Sequence, residues 1–173
     1  VMIVGYGAIG REIEKRLLAF DAAVTKVRRN PAGPGELGPD EWRAKLGEFD
    51  WIVVAAPATP ETKGLIGAAE FAAMKQGARI ANIARGTLID TDALIAAIQS
   101  GKIAGAYLDV TDPEPLPADH PLWGIDTVQI SMHMSGPSQA VMFQRAAMRF
   151  LENLERYHKG EPIYPQVDYQ SGY

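Results

Sequence analysis

The chain opens with Val1-Met2-Ile3-Val4-Gly5-Tyr6-Gly7-Ala8-Ile9-Gly10, and the rest of the architecture can be worked out from this stretch. Four apolar residues suited to a buried strand run directly into a G-x-G-x-x-G motif. A helical pattern follows, because Ile9, Ile13 and Leu17 recur every fourth residue. This order of strand, glycine turn and helix is typical of a site that holds the pyrophosphate of a dinucleotide.

Each residue of the glycine turn has an expected role. Gly5 allows the tight turn, Gly7 lets the backbone approach a pyrophosphate, and Gly10 lets the helix pack close to the strand. The N–H groups that begin the helix, at Ala8 and Ile9, are expected to face the phosphates, since a helix amino terminus carries a partial positive charge. A G-x-G-x-x-G motif alone also occurs by chance in loops, so the prediction depends on the strand and helix around it.

Composition narrows the class of protein. The length of 173 residues predicts one domain, and the net charge of -4 gives no indication of a nucleic-acid or anionic-membrane partner. The chain has no cysteine, which excludes disulfides and thiolate metal sites, and we expect no metal. No apolar run reaches the ~18 residues of a membrane span, and no signal peptide is visible. We therefore expect a cytoplasmic protein.

The chain begins inside a strand, so we also expect residues to be missing upstream.

Hydrophobic patterns predict six strands that alternate with helices, at Val1–Val4, Ala22–Arg28, Trp51–Ala56, Arg79–Ala84, Ile103–Val110 and Thr127–Ser131. Such alternation favours an α/β fold, a doubly wound (Rossmann) parallel sheet of order 3-2-1-4-5-6. The Gly- and Pro-rich stretch Asn30–Asp40 is expected to form only a loop.

Helices are expected after the glycine turn, at Ala68–Lys75, from Thr91 or Asp92 to Gly101, and from Ser138 to about His158. The domain prediction is residues 1–137 for the dinucleotide-binding domain. Residues 138–173 would form the long carboxyl-terminal helix and a tail.

Two arginines suggest which dinucleotide is bound. A domain that binds NAD usually has Asp or Glu about 20 residues after the glycines, where it accepts hydrogen bonds from the ribose. Here that position holds Arg28, and Arg29 follows. A guanidinium can hold the 2′-phosphate of NADP, which a carboxylate would repel. We therefore predict NADP as the preferred cofactor and NAD as the alternative; two solvated arginines at a strand end are the other interpretation.

Three further strand ends carry groups suited to carbonyl reduction. Arg85 follows the fourth strand, the acids Asp109, Asp112 and Glu114 end or follow the fifth, and His133 follows the sixth. Because parallel strands end at the same edge of a sheet, these groups are expected to converge. An Arg can bind a carboxylate and polarise a carbonyl, and a His can donate a proton as hydride arrives. A neighbouring carboxylate can orient the imidazole.

The chain resembles the nucleotide-binding domain of the D-isomer-specific 2-hydroxyacid dehydrogenases. Pieces that match the family's order extend over nearly the whole chain: the glycine turn, Pro57-Ala58-Thr59-Pro60-Glu61-Thr62, Met74-Lys75-Gln76-Gly77-Ala78, Asn82-Ile83-Ala84-Arg85-Gly86, Leu108-Asp109-Val110, Glu114-Pro115-Leu116, His120-Pro121-Leu122-Trp123, and His133 with Ser135-Gly136.

This resemblance implies roles for single residues. Arg85 would anchor the substrate carboxylate and carbonyl, Glu114 would pair with His133, and His133 would be the acid/base. Further cofactor contacts are implied at Pro57, Thr62, Ala84, Asp109 and Gly136. Such enzymes reduce a small 2-oxo acid to a D-2-hydroxy acid, or run the reverse.

The chain also departs from the family pattern. Met132 stands where members often have Pro before the catalytic His, and Ala8 stands where many have Arg. Family members begin with a substrate domain of roughly 100 residues that is absent here. The chain alone is therefore expected to be inactive, and its long helix would normally cross back to that domain.

The resulting functional hypothesis is an NADPH-preferring oxidoreductase, with a small 2-oxo acid such as glyoxylate or hydroxypyruvate as its substrate. One alternative is a non-catalytic dinucleotide-binding module that resembles corepressor relatives. Another is an NAD-dependent enzyme that resembles phosphoglycerate dehydrogenase. The resemblance also implies a homodimer formed through this domain. The aromatic residues Trp42, Trp51 and Tyr107 are expected in the core.

Overall fold

A computed structural model describes residues 1–136 and 139–167. The chain divides into two compact units, Val1–His133 and Met134–Tyr173. The first unit contains a parallel sheet and its helices. Within the second unit the described helix runs over Gln139–His158, and the helix start predicted at Ser138 lies outside the described residues.

Seven strands form a single sheet in the first unit: β1 Met2–Val4, β2 Thr25–Val27, β3 Glu36–Leu37, β4 Trp51–Val54, β5 Ala78–Asn82, β6 Ile103–Leu108 and β7 Val128–Ile130. All neighbouring pairs are parallel, in the order β3-β2-β1-β4-β5-β6-β7. The doubly wound α/β class is therefore as predicted.

The prediction of six strands was wrong, and the error lies in the stretch expected to be a loop. Glu36–Leu37 forms β3, which pairs with β2 through Lys26↔Glu36 and Val27↔Leu37. A strand of two residues at a sheet edge is too short to show a hydrophobic period, so the glycines and prolines around it dominated the pattern. The predicted order 3-2-1-4-5-6 also placed the Trp51 strand at that edge. Trp51–Val54 instead pairs with β1.

The helices of the described residues are α1 Ala8–Leu18, α2 Ala68–Ala73, α3 Thr91–Gln99 and α4 Gln139–His158, and short 3₁₀ turns lie at Arg43–Glu48, Pro60–Thr62, Gly86–Leu88 and Pro121–Gly124. Asp90, rather than the predicted Thr91 or Asp92, caps α3, because its carboxylate accepts a hydrogen bond from the Ala93 N–H at 3.0 Å.

The core lies on the faces of the central strands. The side chains of Met2, Ile52 and Ile80, from β1, β4 and β5, are fully buried. Trp42 is buried as expected, but Trp51 is 39% exposed and packs under the guanidinium of Arg79 on β5. The prediction of Trp51 as a core residue was therefore wrong. Trp51 is the first residue of β4, and the buried part of that strand begins only at the next residue.

The long helix α4 has an apolar side that is open in this structure. Phe143, Phe150 and Tyr157 are each more than half exposed. Among the described residues, no helix combines the length and the apolar character needed to cross a membrane.

Candidate functional site

The parallel sheet brings the polar residues that follow its strands to one edge. The segment after β5 carries Arg85, the loop after β6 carries Glu114, and the segment after β7 carries His133. Since β5, β6 and β7 are neighbours, these segments leave the sheet side by side.

His133 and Glu114 form a direct pair. The distance between His133 Nδ1 and Glu114 Oε1 is 2.7 Å, and both side chains are somewhat under half exposed. Because an ionised carboxylate can only accept a hydrogen bond, Nδ1 is the donor, and the ring is thereby fixed in orientation. The other ring nitrogen, Nε2, is then the atom that can exchange a proton with a bound molecule.

The backbone of His133 is held in an uncommon conformation. Its φ is 52°, in the left-handed region that residues other than glycine rarely occupy. Its N–H donates to the carbonyl oxygen of Asp109 at 2.9 Å, which ties the segment after β7 to the end of β6. The left-handed backbone conformation of His133 therefore depends on its hydrogen bond to the end of β6.

The turn that carries Arg85 is braced by a buried amide. Asn82, which is 1% exposed, donates from Nδ2 to the Arg85 carbonyl at 2.9 Å and accepts from the Ala84 N–H at 3.1 Å. The Arg85 guanidinium is exposed and donates from Nη1 to the Ala84 carbonyl at 2.6 Å. Arg85 therefore stands at the same edge as the His133–Glu114 pair, on a fixed turn, with its charge open to solvent.

Gly86 allows this turn to pack against the loop that leads to Glu114. A Cβ built at Gly86 would lie 2.0 Å from the backbone of Thr111. No side chain fits at that distance, so glycine is required there for close approach of two backbones.

Asp109 is the charged residue buried at the end of β6. It is 2% exposed, and its carboxylate oxygen Oδ1 accepts a hydrogen bond of 2.5 Å from the Ser131 hydroxyl. The Ser131 oxygen lies 2.9 Å from the hydroxyl of Tyr107. Sequence reasoning treated Tyr107 as core, whereas it is half buried with its hydroxyl in this network.

The glycine turn is tightly packed at Gly5 and Gly10 and open at Gly7. Gly5 has φ +102°, and a Cβ there would lie 2.3 Å from the Ala56 N. A Cβ at Gly10 would lie 2.6 Å from the Gly5 carbonyl, so α1 packs against the turn as expected. A Cβ at Gly7 would meet no atom within 4 Å, so the backbone there is open to a ligand.

The first turn of α1 suits an anion. Gly7 is its N-cap and provides no side-chain cap, and Ala8 and Ile9, the first two helical residues, are exposed. The first turn contains no acidic residue. The backbone N–H groups there match the negative charge of a phosphate, so the residues present fit a dinucleotide.

The two arginines after β2 differ in their surroundings. Arg28 Nη1 lies 3.6 Å from Glu36 Oε2, and the Glu36 side chain is only 10% exposed and also accepts from the Ala32 N–H at 2.7 Å. Arg29 Nη2 lies 4.0 Å from Glu61 Oε2, and both side chains are more than half exposed. The charge of Arg28 is therefore balanced within the protein, and Arg29 is the more available cation.

Glu61 belongs to the loop after β4, which also contains Pro57 and Thr62. The Thr62 hydroxyl donates to the Pro57 carbonyl at 2.7 Å and accepts from the Thr59 N–H at 2.8 Å, which closes the loop on itself. The pKa of Glu61 is lowered, mainly by a hydrogen bond from Thr59 and less by the charge of Arg29. The charged form of Glu61 is therefore favoured beside Arg29.

Several residues that support the site were missed from the sequence: Asn82 as a brace, Ser131 and Tyr107 beside Asp109, and Glu36 beside Arg28. A polar residue at a strand end is the signal that could have identified Asn82 and Ser131. Gly136, predicted to contact the cofactor, belongs to the second unit. Within the described ranges, no group of three His, Asp or Glu side chains is arranged to hold a metal ion.

Comparison with known families gives one match over most of the chain. The family model described as "D-isomer specific 2-hydroxyacid dehydrogenase, NAD binding domain" matches residues 1–135.

Two curated relatives are enzymes. The D-3-phosphoglycerate dehydrogenase of Archaeoglobus fulgidus is 35% identical over 98% of this chain. The glyoxylate/hydroxypyruvate reductase A of Salmonella typhi is 32% identical over 100% of it. The chain spans 33% of the former and 56% of the latter, so it corresponds to only part of each.

Among solved structures, a D-isomer specific 2-hydroxyacid dehydrogenase from Xanthobacter autotrophicus Py2, in complex with NADPH and MES, has a TM-score of 0.91 and 37% identity. The alignment covers 100% of this chain and 72% of that one.

Proposed function

The chain belongs to the D-isomer-specific 2-hydroxyacid dehydrogenase family, and on this basis we propose that the whole protein interconverts a small 2-oxo acid and a D-2-hydroxy acid with a nicotinamide cofactor. The preferred cofactor is NADPH. Residues 1–137 bind the dinucleotide and contribute Arg85, Glu114 and His133 to the reaction.

One observation carries this proposal: His133 and Glu114 meet at 2.7 Å at the sheet edge where Arg85 also emerges. An imidazole oriented by a carboxylate is suited to proton transfer with a substrate oxygen. A guanidinium on a fixed turn is suited to a carboxylate, which it can bind through two parallel hydrogen bonds. Together these groups match a substrate that has a carboxylate next to a carbonyl.

The proposed chemistry divides between the cofactor and the protein. A bound NADPH supplies the hydride that adds to C2 of the 2-oxo acid. Arg85 holds the carboxylate and polarises the carbonyl, and His133 gives the proton at Nε2 to the carbonyl oxygen. Glu114 keeps the ring oriented through its contact with Nδ1.

The residues that would hold the cofactor lie at the part of the sheet edge formed by the glycine turn and by the residues after β2. The N–H groups at Ala8 and Ile9 and the open backbone of Gly7 would take the pyrophosphate. Arg29 would take the 2′-phosphate, because its own acidic neighbour is exposed and 4.0 Å away. Support for NADPH also comes from the Xanthobacter relative, whose structure contains it.

The substrates we propose are glyoxylate and hydroxypyruvate. Support comes from the Salmonella relative, which is named for both, and from the arginine pair, which favours a reductase driven by NADPH. An NAD-dependent enzyme acting on a phosphoglycerate is the second candidate, favoured by the Archaeoglobus relative. The homodimer and the cytoplasmic location stay predictions.

A dinucleotide-binding module without turnover is the alternative of a different class. The presence of Arg85, Glu114 and His133 together favours the enzyme, because binding alone needs none of the three. The two hypotheses differ in whether the bound NADPH is oxidised in the presence of a 2-oxo acid.

The test is an NADPH-oxidation assay on the full-length protein with glyoxylate, hydroxypyruvate, pyruvate and phenylpyruvate, repeated with NADH and with 3-phosphohydroxypyruvate. We expect turnover with glyoxylate or hydroxypyruvate, and a higher kcat/KM for NADPH than for NADH. Clear nucleotide binding with no turnover on any substrate would favour the non-catalytic module. Turnover of only the phosphorylated substrate with NADH would favour the second candidate.

A further inference from the structure

We propose that Ser131 and Tyr107 are positioning residues for the proposed acid/base His133. They act through Asp109, and the three residues Tyr107, Asp109 and Ser131 are called the hydroxyl clasp below. This inference rests on the proposed function for its kinetic consequence, but the clasp itself is a feature of the described structure. Neither hydroxyl needs to contact substrate or cofactor for this role.

The register of the sheet explains why these side chains meet. Tyr107 pairs with Gln129 and Leu108 with Ile130, so Asp109 is the next residue opposite Ser131. Alternate residues of a strand point to the same face, which puts the side chains of Tyr107, Asp109 and Ser131 on one side of the β6–β7 pair. The Asp109–Ser131 contact of the clasp therefore joins the two strands one residue beyond their last pair, Leu108 and Ile130.

The hydrogens of the clasp have a fixed direction. The Ser131 hydroxyl donates its single hydrogen to Asp109 Oδ1 at 2.5 Å. The Tyr107 hydroxyl, 2.9 Å away, must then donate to the Ser131 oxygen. Hydrogen bonds to a charged acceptor are stronger than neutral ones, and a chain of them strengthens each member. Ser131 is thus held from both sides.

Ser131 of the clasp lies two residues before His133, the residue whose backbone conformation the clasp is proposed to hold. Ser131 also donates its N–H to the Leu108 carbonyl at 2.9 Å, and His133 donates its N–H to the Asp109 carbonyl at 2.9 Å. The residue between them, Met132, is 88% exposed, and its side chain does not restrict the backbone as a proline ring would. The fixed points of the segment are therefore Ser131 and the His133 N–H. Asp109 accepts from the Ser131 hydroxyl and from the His133 N–H, and Leu108 accepts from the Ser131 N–H.

The conformation of His133 needs such support. A non-glycine residue at φ 52° is strained and persists only when its surroundings determine it. Removing the Ser131 hydroxyl takes away the hydrogen bond from Ser131 to Asp109 Oδ1 and weakens the tie at the start of the segment. The imidazole then departs more often from the position in which it meets Glu114. Proton transfer is steeply sensitive to such displacement, whereas binding of a nucleotide at the glycine turn is not.

The experiment compares Ser131→Ala, Ser131→Thr and Tyr107→Phe in the full-length protein. We expect Ser131→Ala to lower kcat about tenfold, the effect of losing one hydrogen bond to a charged group. The Kd for NADPH should rise less than about threefold, because Asp109 is one implied cofactor contact and the others lie outside the clasp. Ser131→Thr keeps the hydroxyl and should restore kcat to within about threefold of the unchanged protein. Tyr107→Phe removes only the outer hydroxyl and should lower kcat about threefold.

Ser100→Ala is the matched control. Its hydroxyl also makes one hydrogen bond, to the Ala97 carbonyl at 3.0 Å at the end of α3, and it should leave kcat unchanged. If Ser131 had only a structural role, kcat would fall equally in Ser131→Ala and Ser131→Thr. If its hydroxyl had no role, kcat in Ser131→Ala would stay within about twofold of that of the unchanged protein. Either result overturns the proposal. If Ser131→Ala does not fold, an unchanged kcat in Tyr107→Phe overturns it instead.

A second measurement separates the clasp from the proposed function. Hydrogen exchange of the His133 amide reports the tie to Asp109 without any substrate. Faster exchange in Ser131→Ala than in Ser131→Thr supports the clasp, and equal exchange in the two overturns it. If the unchanged protein reduces no 2-oxo acid, the proposed function has failed, and this exchange comparison still decides the clasp.

Discussion

Two regions of one sheet edge are built in different ways. The glycine-turn region, Gly5–Gly10 with Arg28 and Arg29, presents open backbone and exposed charges, and its arginine contacts are 3.6 and 4.0 Å long. The Arg–Glu–His region, Arg85 with Glu114 and His133, stands on the buried side chains of Asn82 and Asp109. The hydrogen bonds that those two side chains make, and the His133–Glu114 contact, are 3.1 Å or shorter.

This difference shows what each region needs. A phosphate is bound by charge and by N–H groups, which act over a broad range of positions. A proton transfer requires its donor within hydrogen-bond reach of the acceptor, about 2.6–3.2 Å between heavy atoms, so the donor must be braced. We therefore expect the two regions to be separable. Changes in the glycine-turn region should alter nucleotide affinity, and changes in the Arg–Glu–His region should alter kcat.

The largest effect is expected for His133→Ala. Loss of the acid/base should lower kcat by about 10²- to 10⁴-fold, and the Kd for NADPH should stay within about twofold. Steady-state kinetics and fluorescence titration measure the two quantities. His158→Ala, at the exposed end of α4, is the control and should change neither. A loss of affinity as large as the loss of kcat would mean that the regions are not separable.

Arg85→Gln is expected to have the next largest effect. It removes the charge that holds the substrate carboxylate, so kcat/KM for the 2-oxo acid should fall roughly 10- to 100-fold. Arg79→Gln, which alters an exposed arginine on β5, is the matched control. An unchanged KM and kcat in Arg85→Gln would contradict its role as the carboxylate anchor.

A smaller effect, on cofactor choice, is expected for Arg29→Ala. The preference for NADPH over NADH, measured as the ratio of their Kd values, should fall about tenfold. Arg28→Ala should change the ratio less than about threefold, because Glu36 already balances its charge. Arg16→Ala is the control on an exposed arginine that pairs with Glu12. If Arg28→Ala lowered the preference for NADPH as much as Arg29→Ala does, Glu36 would not neutralise Arg28.

The smallest effect is expected for Glu61→Gln. Removing the anion beside Arg29 should tighten NADPH about twofold and leave NADH unchanged, since an exposed ion pair at 4.0 Å contributes little. Glu48→Gln, another exposed acid, serves as the control. A weaker Kd for NADPH in Glu61→Gln would show that Glu61 orients Arg29 instead of competing for it.

The sequence was informative for both regions. Glycines and arginines act here through their own backbone and charge, so their positions in the chain predicted the turn and the pair after β2. The chain positions of Arg85, Glu114 and His133 also predicted their shared edge, because parallel strands end together.

What could not be predicted depends on distances across the sheet. The clasp of Tyr107, Asp109 and Ser131 requires the register of β6 against β7, and no local pattern contains that register. Likewise, Glu36 pairs with Arg28 only because a two-residue strand lies beside β2, and such a strand has no hydrophobic period.

The contact at Gly86 has a consequence for how such a protein could change its substrate. The peptide of Thr111 lies against the turn that bears Arg85, at a spacing that leaves no room for a methyl group. A side chain at position 86 would therefore push the turn of Arg85, the proposed carboxylate anchor, away from the loop that leads to Glu114. Under the proposed function, adaptation to a bulkier or smaller acid would come from groups around this contact, while the spacing between the turn and the loop stays the same.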